Sequence, residues 1–280
     1  LSALTHQSYP REKYEIIFVD DRSEDSTINV ASHLCAENDR LKIYRGDNKN
    51  GWKSSKKACL ELARKKALGE ILLLTDADCQ PPFEWIETMV AGFSPHIGLV
   101  AGFSPQVAKK NRVWNGFLIM DSMAAAIVSA GGIGWGVGIT CTGRNMAIRT
   151  SALVEIGGYT ETADTLSGDD DFILQKITAH PRWKTSYLFD PKAVVPGRGP
   201  DHWRAFLRQK QRHISAAKRY PLKTQTGYLV YHLANSAIWL FFFCKPTEGL
   251  IPLMIKIFAG GVVILDFARK VKVTSPVLSF

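Results

Sequence analysis

The stretch GEILLLTDADCQPPFEW, residues 69–85, decides the fold. Its apolar run from Ile71 to Leu74 is typical of a short buried strand, and Asp76 and Asp78 follow it directly. Because side chains alternate along an extended segment, these two acids project to the same side. Carboxylate oxygens suit Mg2+ or Mn2+, which also binds the phosphates of a substrate. Asp76 and Asp78 are the predicted metal ligands; the alternative is a pair of solvated surface acids.

A second strand-like run lies in YEIIFVDDRSEDST, residues 14–27, and ends in Asp20 and Asp21. The next elements expected are helices over 23–37, 54–67 and 113–128 and a strand over 99–103. Alternating strands and helices predict an α/β sheet, and ligands bind such a sheet beyond the carboxyl ends of its strands. The two acidic strand ends should therefore face one site.

The composition fits a globular protein with an anionic partner. The 280 residues are 46% hydrophobic and 22% charged, and the formal net charge is +9. This excess of cations suits an anionic ligand, a nucleic acid or an anionic membrane face, and charge alone does not choose among them. Five cysteines without a CxxC pair indicate a reducing compartment. The start at Leu1, without a signal-like segment, predicts a piece of a longer protein.

Two apolar blocks near the end of the chain, residues 227–244 and 250–265, each approach the length of a membrane crossing. His232, Asn235 and Lys256 within them leave ordinary buried helices as the alternative. A basic segment precedes the blocks and favours a cytoplasmic membrane face. Asp201, which follows Pro200, is expected to cap the helix of this basic segment.

Five motifs in order resemble the inverting glycosyltransferases of family 2. They are YEIIFVDDRSEDST, the stretch 69–85, GRNMAIR at 143–149, SGDDDF at 167–172 and QKQRH at 209–213. The resemblance covers roughly residues 1–220. It implies an α/β fold of the GT-A type, a mixed and mainly parallel sheet flanked by helices. We expect this domain over 1–222, without the family's first strand, and a membrane or interfacial helical hairpin over 223–280.

The same resemblance assigns roles around the donor, a nucleotide-diphosphate sugar. Asp21, with Asp20 beside it, corresponds to the contact with the nucleobase or ribose. Asp76 and Asp78 correspond to the metal and diphosphate motif. Lys56 or Lys57 lies where the family often has a basic residue near the donor, although both could belong to a solvated helix face.

The resemblance also implies a general base. The family has an acid pair at a helix start, and its second acid takes the proton of the acceptor hydroxyl. Here the match is Asp169 and Asp170, which makes Asp170 the expected base, with Asp169 or Asp171 as alternatives; the whole triplet could instead only cap a helix. Gln209 and Arg212 resemble the QxxRW motif and could contact donor phosphate, with His213 where the motif has Trp.

The expected function is inverting transfer of a hexose-type sugar to an acceptor hydroxyl. The donor is expected to be a UDP-sugar, the cofactor Mg2+ or Mn2+, and the acceptor a lipid-linked molecule or glycan of the cell envelope. The catalytic domain should lie on the cytoplasmic side of a bacterial inner membrane, and no nucleic-acid partner is expected. The alternatives are a non-catalytic nucleotide-sugar-binding scaffold at the membrane and a haloacid-dehalogenase-like phosphatase, in which DxD also follows a strand.

Overall fold

The computed structural model describes residues 1–46, 51–108, 111–165, 167–217 and 219–272. The strands are β1 (Ile16–Asp20), β2 (Leu41–Arg45), β3 (Ile71–Leu74), β4 (Ile97–Gly102), β5 (Gln106–Val107), β6 (Met146–Arg149), β7 (Lys184–Leu188) and β8 (Gly197–Arg198). The helices are α1 (Ser2–Thr5), α2 (Thr27–Ala36), α3 (Ser55–Lys66), α4 (Trp85–Ala91), α5 (Arg112–Gly134), α6 (Thr150–Glu155), α7 (Asp169–Ala179), α8 (Trp203–Ala217), α9 (Leu222–Cys244) and α10 (Pro246–Val271).

The central sheet has four strands in the order β3-β6-β4-β7. Strand β6 runs antiparallel to both neighbours, so that Ile148 lies opposite Leu72 of β3 and Leu99 of β4. The pairs β4–β7, β1–β2 and β5–β8 are parallel, and the last two form separate two-stranded sheets. The expected mixed α/β architecture is confirmed.

Helices cover both faces of the central sheet, as the alternation of its side chains requires. Leu99 of β4 and Ile148 of β6 pack with Ile173 of α7 on one face. Val100 and Ala147, the residues next to these two in the same strands, pack with α4 on the other. This two-sided core holds the end of β3 and the start of α7 in fixed positions.

Three helix boundaries differ from the expectation. Helix α2 begins at Thr27 and not at residue 23. Helix α5 continues past residue 128 to Gly134, because the N–H groups of Trp135 and Val137 donate to carbonyls of the last turn and complete its end. Helix α8 begins at Trp203, and Nδ1 of His202 accepts from the N–H of Ala205. The capping prediction for Asp201 is therefore wrong, since its carboxylate binds Arg198 instead.

Helices α9 and α10 form an antiparallel hairpin whose turn lies at Lys245. Among the described residues, α5, α9 and α10 are long and apolar enough to cross a membrane, judged by length and composition only. Both ends of the hairpin contact the α/β part of the chain. Near its last turn, the ring of Phe267 meets Phe103 edge to face at 5.2 Å. Residues 273–280, the end of the expected hairpin segment, lie outside the described residues.

Candidate active site

The turn after β3 carries the predicted metal ligands. The N–H of Cys79 donates to the carbonyl of Asp76 at 3.1 Å, which closes the turn. The N–H of Arg198 donates to the carbonyl of Asp78 at 3.3 Å and ties the turn to β8. The backbone of Asp78 is thus held while its side chain stays exposed. Asp76 and Asp78 therefore present carboxylates at the carboxyl end of β3, an edge strand of the central sheet.

Lys56, in the first turn of α3, links this turn to the acidic triplet. Its Nζ lies 3.1 Å from Oδ1 of Asp76 and 3.9 Å from Oδ2 of Asp169. Half of the side chain is exposed (51%), yet the protein around the ammonium alone would lower its pKa. The carboxylates of Asp169, Asp76 and Asp170 outweigh this effect and raise the pKa, so Lys56 stays charged.

The triplet opens α7 in the way that the sequence predicts. Gly168, just before it, has φ +82°, a left-handed conformation that favours glycine. The chain then turns so that Oδ2 of Asp170 accepts from the N–H of Gly143 at 2.9 Å. Burial and the neighbouring Asp170 raise the pKa of Asp169, while Lys56 and Lys57 lower it. We call Asp76, Asp169 and Asp170, with Lys56 among them, the acidic cluster.

Asp171 is committed to structural contacts. Its carboxylate accepts from the Thr140 hydroxyl at 2.7 Å, from the N–H of Cys141 at 3.0 Å and from the hydroxyl of Tyr220. Burial and the charge of Asp170 raise its pKa to about 7, against the lowering effect of these donors. Of the three adjacent acids, Asp171 is thus the least available to a substrate.

The acids after β1 differ from each other. Asp20 is buried, and its carboxylate accepts from the N–H of Ser23 at 3.3 Å, which shapes the loop. Asp21 points outward beside Arg22, at 3.5 Å in an ion pair. Arg22 has φ +59°, a conformation rare for residues other than glycine. Asp21 is therefore the accessible acid of the pair.

The two candidate lysines, Lys56 and Lys57, also differ in their surroundings. Lys57 is fully buried, and its ammonium donates to the carbonyls of Thr162 and Ser167 and to the hydroxyl of Thr165. It holds the segment before the triplet and points away from Asp76. Lys56 is the lysine that lies in the cluster.

The segment QKQRH lies on α8, where Gln209 is half-buried and Arg212 is exposed. Among the described residues, the Oε1 atom of Gln209 is buried without a hydrogen-bond partner. Burial lowers the pKa of His213 to about 4, although the residue also reaches solvent. The positive charges of Arg212, Lys210 and Arg144 lower the pKa of His213 further.

Sequence reasoning missed several contributors around the cluster. Arg144 donates to the hydroxyl of Thr142 and to the carbonyl of Ser104, at the edge of the site. The N–H of Gly143, which meets Asp170, is a backbone group. The motif GRN contains both residues and could have pointed to them. Its Asn145 has a structural role, since it bonds Trp85 and the carbonyls of Phe103 and Ala193.

The family model for glycosyl transferase family 2 matches residues 1–156, which include β1, the β3 turn and the loop with Gly143. The chain belongs to this family. It has the GT-A fold of the solved glycosyltransferases, and the family match contradicts the phosphatase hypothesis.

Two curated relatives carry names of sugar-transferring enzymes. The chain is 24% identical over 248 residues to a probable glycosyltransferase, YdaM, of Bacillus subtilis, covering 87% of this chain and 57% of the relative. It is 28% identical over 202 residues to a beta-monoglucosyldiacylglycerol synthase of Trichormus variabilis, covering 69% and 40%. It thus spans only part of the length of these curated relatives.

Two solved structures share the fold. The mannosyltransferase PcManGT from Pyrobaculum calidifontis, in complex with GDP-Man and Mn2+, has a TM-score of 0.58 at 18% identity, covering 97% of this chain and 80% of that one. Residues 1–349 of TarS from S. aureus, in complex with UDP-GlcNAc, have a TM-score of 0.51 at 19% identity, covering 73% and 55%. At these identities the likeness concerns the fold.

Proposed function

We propose that the chain is an inverting glycosyltransferase that moves a sugar from a nucleotide diphosphate, expected to be UDP, to an acceptor hydroxyl at a membrane. The observation that carries this proposal is the acidic cluster. Asp76 at the end of β3 and Asp169 at the start of α7 lie on either side of Lys56, at 3.1 and 3.9 Å. This arrangement joins a candidate donor site to a candidate base.

The donor side of the site is formed by exposed acids of two sheets and by nearby cations. Asp21 is accessible for hydroxyl groups of the nucleoside, and Lys56 and Arg144 for the diphosphate. Gln209 and Arg212 on α8 could complete the phosphate contacts. The relatives in complexes with GDP-Man and UDP-GlcNAc support a nucleotide-sugar donor.

The residues present fit a divalent cation. Among the described residues there is no group of three metal-ligating side chains, so Asp76 and Asp78 would share the ion with waters and substrate phosphates. Such an ion, Mg2+ or Mn2+, supplies positive charge against the negative charge of the leaving diphosphate. The Mn2+ in the PcManGT complex supports this assignment.

Asp170 is the proposed base. The acceptor hydroxyl gives its proton to the carboxylate while its oxygen bonds the anomeric carbon, and the bond from that carbon to the diphosphate oxygen breaks. Attack opposite the leaving group inverts the configuration. The N–H of Gly143 orients the carboxylate, and Asp171, held by its own donors, keeps the helix start in place. Asp169, paired with Lys56, is the second candidate.

The hairpin supports a membrane location. Helix α9 has 23 residues and would span about 34 Å at the usual rise per residue, enough for the apolar core of a bilayer. The end near the catalytic domain carries Arg219, Lys223, Arg269, Lys270 and Lys272, whereas the turn carries Lys245 and Glu248. This asymmetry favours a cytoplasmic catalytic domain. The diacylglycerol-sugar synthase among the relatives supports a lipid acceptor.

A panel of UDP- and GDP-sugars with Mn2+ and a membrane lipid extract tests the proposal on the full-length protein. We expect nucleoside diphosphate to be released with one nucleotide sugar of the panel and not with the others. Asp170→Asn keeps the shape and removes the proton acceptor, so we expect transfer to fall about a hundredfold or more while donor affinity changes little.

Asp171→Asn is the matched control, because it changes an adjacent acid that has structural partners, and it should retain more activity. If Asp169→Asn abolishes transfer and Asp170→Asn does not, Asp169 is the base. A protein that binds a donor and turns over none would instead be the non-catalytic scaffold.

A further inference from the structure

Helix α5 looks like a membrane crossing, but its packing contradicts that role. It is 23 residues long and apolar, yet 39% of its most apolar stretch is buried inside the protein, against 0% for α9. Leu118, Ile119 and Met123 of its inner face are in the core. On its flank, Asp121 pairs with Lys210 of α8 at 2.6 Å. A helix packed in this way stays with the catalytic domain.

The outer face of α5 is nevertheless apolar and continues onto α8. Exposed side chains recur at helical spacing on both helices. The set that we call the α5–α8 patch consists of Val113, Phe117, Met120, Trp203, Leu207 and Ile214. Their exposed fractions reach 84% at Val113 and 67% at Ile214. An exposed apolar surface of this kind marks an interaction site.

Aromatic rings join the two helices within the patch. Trp114 stacks on Phe117 at 5.3 Å, and Trp203 stacks on Phe206 at 5.3 Å. Phe117 and Phe206 meet at 5.1 Å across the helices. The indole N–H of Trp114 donates to the carbonyl of Pro200 at 2.8 Å, which fixes the ring. The rings are therefore held in place before any partner binds.

The charges beside the patch indicate the partner. Arg112, Arg204 and Arg208 are exposed, and among the described residues none of them forms an ion pair with an acid. The nearby acids Asp121 and Asp201 are already paired with cations. Apolar and aromatic side chains flanked by free arginines suit the surface of an anionic bilayer.

The position of the patch fits this partner. Helix α8 leads through Tyr220 and Pro221 directly into α9. Phe267, near the end of α10, packs with Ile119 and Met123 of α5. Both helices of the patch therefore adjoin the two ends of the hairpin that meet the catalytic domain.

We propose that the α5–α8 patch lies in the plane of the membrane surface and binds anionic phospholipid, so that α5 rests on the bilayer. The inference rests on the membrane attachment proposed above. It adds a second contact, which fixes the tilt of the catalytic domain over the lipid. The chain then crosses the membrane with two of the three long apolar helices found among the described residues.

Photocrosslinking tests this on the full-length protein in vesicles of phosphatidylcholine with phosphatidylglycerol that carries a diazirine in its acyl chain. Lipid adducts should appear on peptides of α9 and α10 and also on residues 112–120 and 203–214. Because interfacial helices bury their apolar face at the acyl boundary, these patch peptides should carry at least about fivefold more adducts than α6, whose Val154 (54% exposed) is about as exposed as Trp203 of the patch (52%).

Variants give the matched control. The double variant Phe117→Glu, Trp203→Glu should lose the patch adducts and keep those of the hairpin, whereas Val154→Glu should change neither. Replacing phosphatidylglycerol by a phosphatidylcholine probe should reduce the patch adducts; equal labelling would overturn the anionic assignment.

Adducts on the hairpin test the proposed membrane crossing, and adducts on the patch test the present inference. Adducts confined to α9 and α10, which a patch covered by a second copy of the chain would also give, overturn this inference alone. Adducts on the patch without the hairpin support the inference and contradict the proposed crossing. A protein without adducts contradicts both.

Discussion

Tyr220 connects the start of the α9–α10 hairpin to the acidic triplet. Its hydroxyl donates to Asp171, and its ring meets Phe172 edge to face at 6.0 Å. Asp171 in turn is bound by Thr140 and Cys141, in the loop that leads to Gly143. A side chain 49 residues further along the chain thus fixes the helix start that carries the proposed base.

Tyr220→Phe should destabilise the protein in a pH-dependent way. The pKa of Asp171 in the folded protein, about 7, lies above its ordinary value of 3.8, so the folded state binds more protons and loses stability as pH rises between these values. Without the tyrosine hydroxyl the folded pKa rises further, and a buried charge loses a donor, a change of about 1–3 kcal/mol.

The loss in Tm should therefore be small at pH 5 and larger at pH 8, measured by thermal unfolding in detergent. Tyr228→Phe is the control, because the Tyr228 ring also packs near Tyr220, at 6.4 Å. A loss for Tyr220→Phe that is equal at both pH values would show that the hydroxyl does not stabilise the ionised carboxylate.

At the scale of elements, the sequence predicted what local patterns encode. The β1 and β3 runs, α3 and the acidic start of α7 lie close to their expected positions, because apolar runs and caps are local signals. Strand β6 could not be placed: its four residues MAIR pair with residues 45 and more positions away in the chain. The sequence also could not decide between Lys56 and Lys57. Lys56 faces Asp76 and Lys57 faces the buried loop before α7, and the spacing of the two lysines in the sequence does not reveal which is which.

A prediction at the scale of elements concerns the attachment of the α9–α10 hairpin to the membrane. Leu233 and Phe258 are exposed near the middle of α9 and α10. Because a charge at the centre of a bilayer costs about 2.5–3.5 kcal/mol per residue, the variant Leu233→Arg, Phe258→Arg should leave the membrane fraction on carbonate extraction, whereas the parent stays.

Val154→Arg changes an exposed apolar residue of α6, and this variant should stay in the membrane fraction as the parent does. A double variant that resists carbonate as well as the parent would show that attachment depends on another part of the protein.

At the scale of the whole molecule, the residues of the proposed donor site follow strands of two separate sheets. Asp21 follows β1 in the two-stranded sheet, while Asp76 and Asp78 follow β3 in the central one. Helix α3 packs on β1 and carries Lys56 to Asp76, so it bridges the two parts. A nucleotide diphosphate that contacts Asp21 and a metal at Asp78 would hold the same two parts together.

UDP with Mn2+ should consequently stabilise the entire fold. At a ligand concentration a hundredfold above Kd the gain is about 2.7 kcal/mol, which corresponds to a rise in Tm of roughly 5–10 °C for a chain of this size. EDTA should remove most of the rise, and Asp78→Ala should make the remaining shift independent of Mn2+.

Asp21→Ala should reduce the shift without lowering the Tm of the free protein, because its only described ion pair is to the adjacent Arg22. Asp39→Ala, an exposed acid at another edge, should behave as the parent; an EDTA-resistant shift, or a full shift in Asp21→Ala, would contradict a nucleotide held across the two sheets.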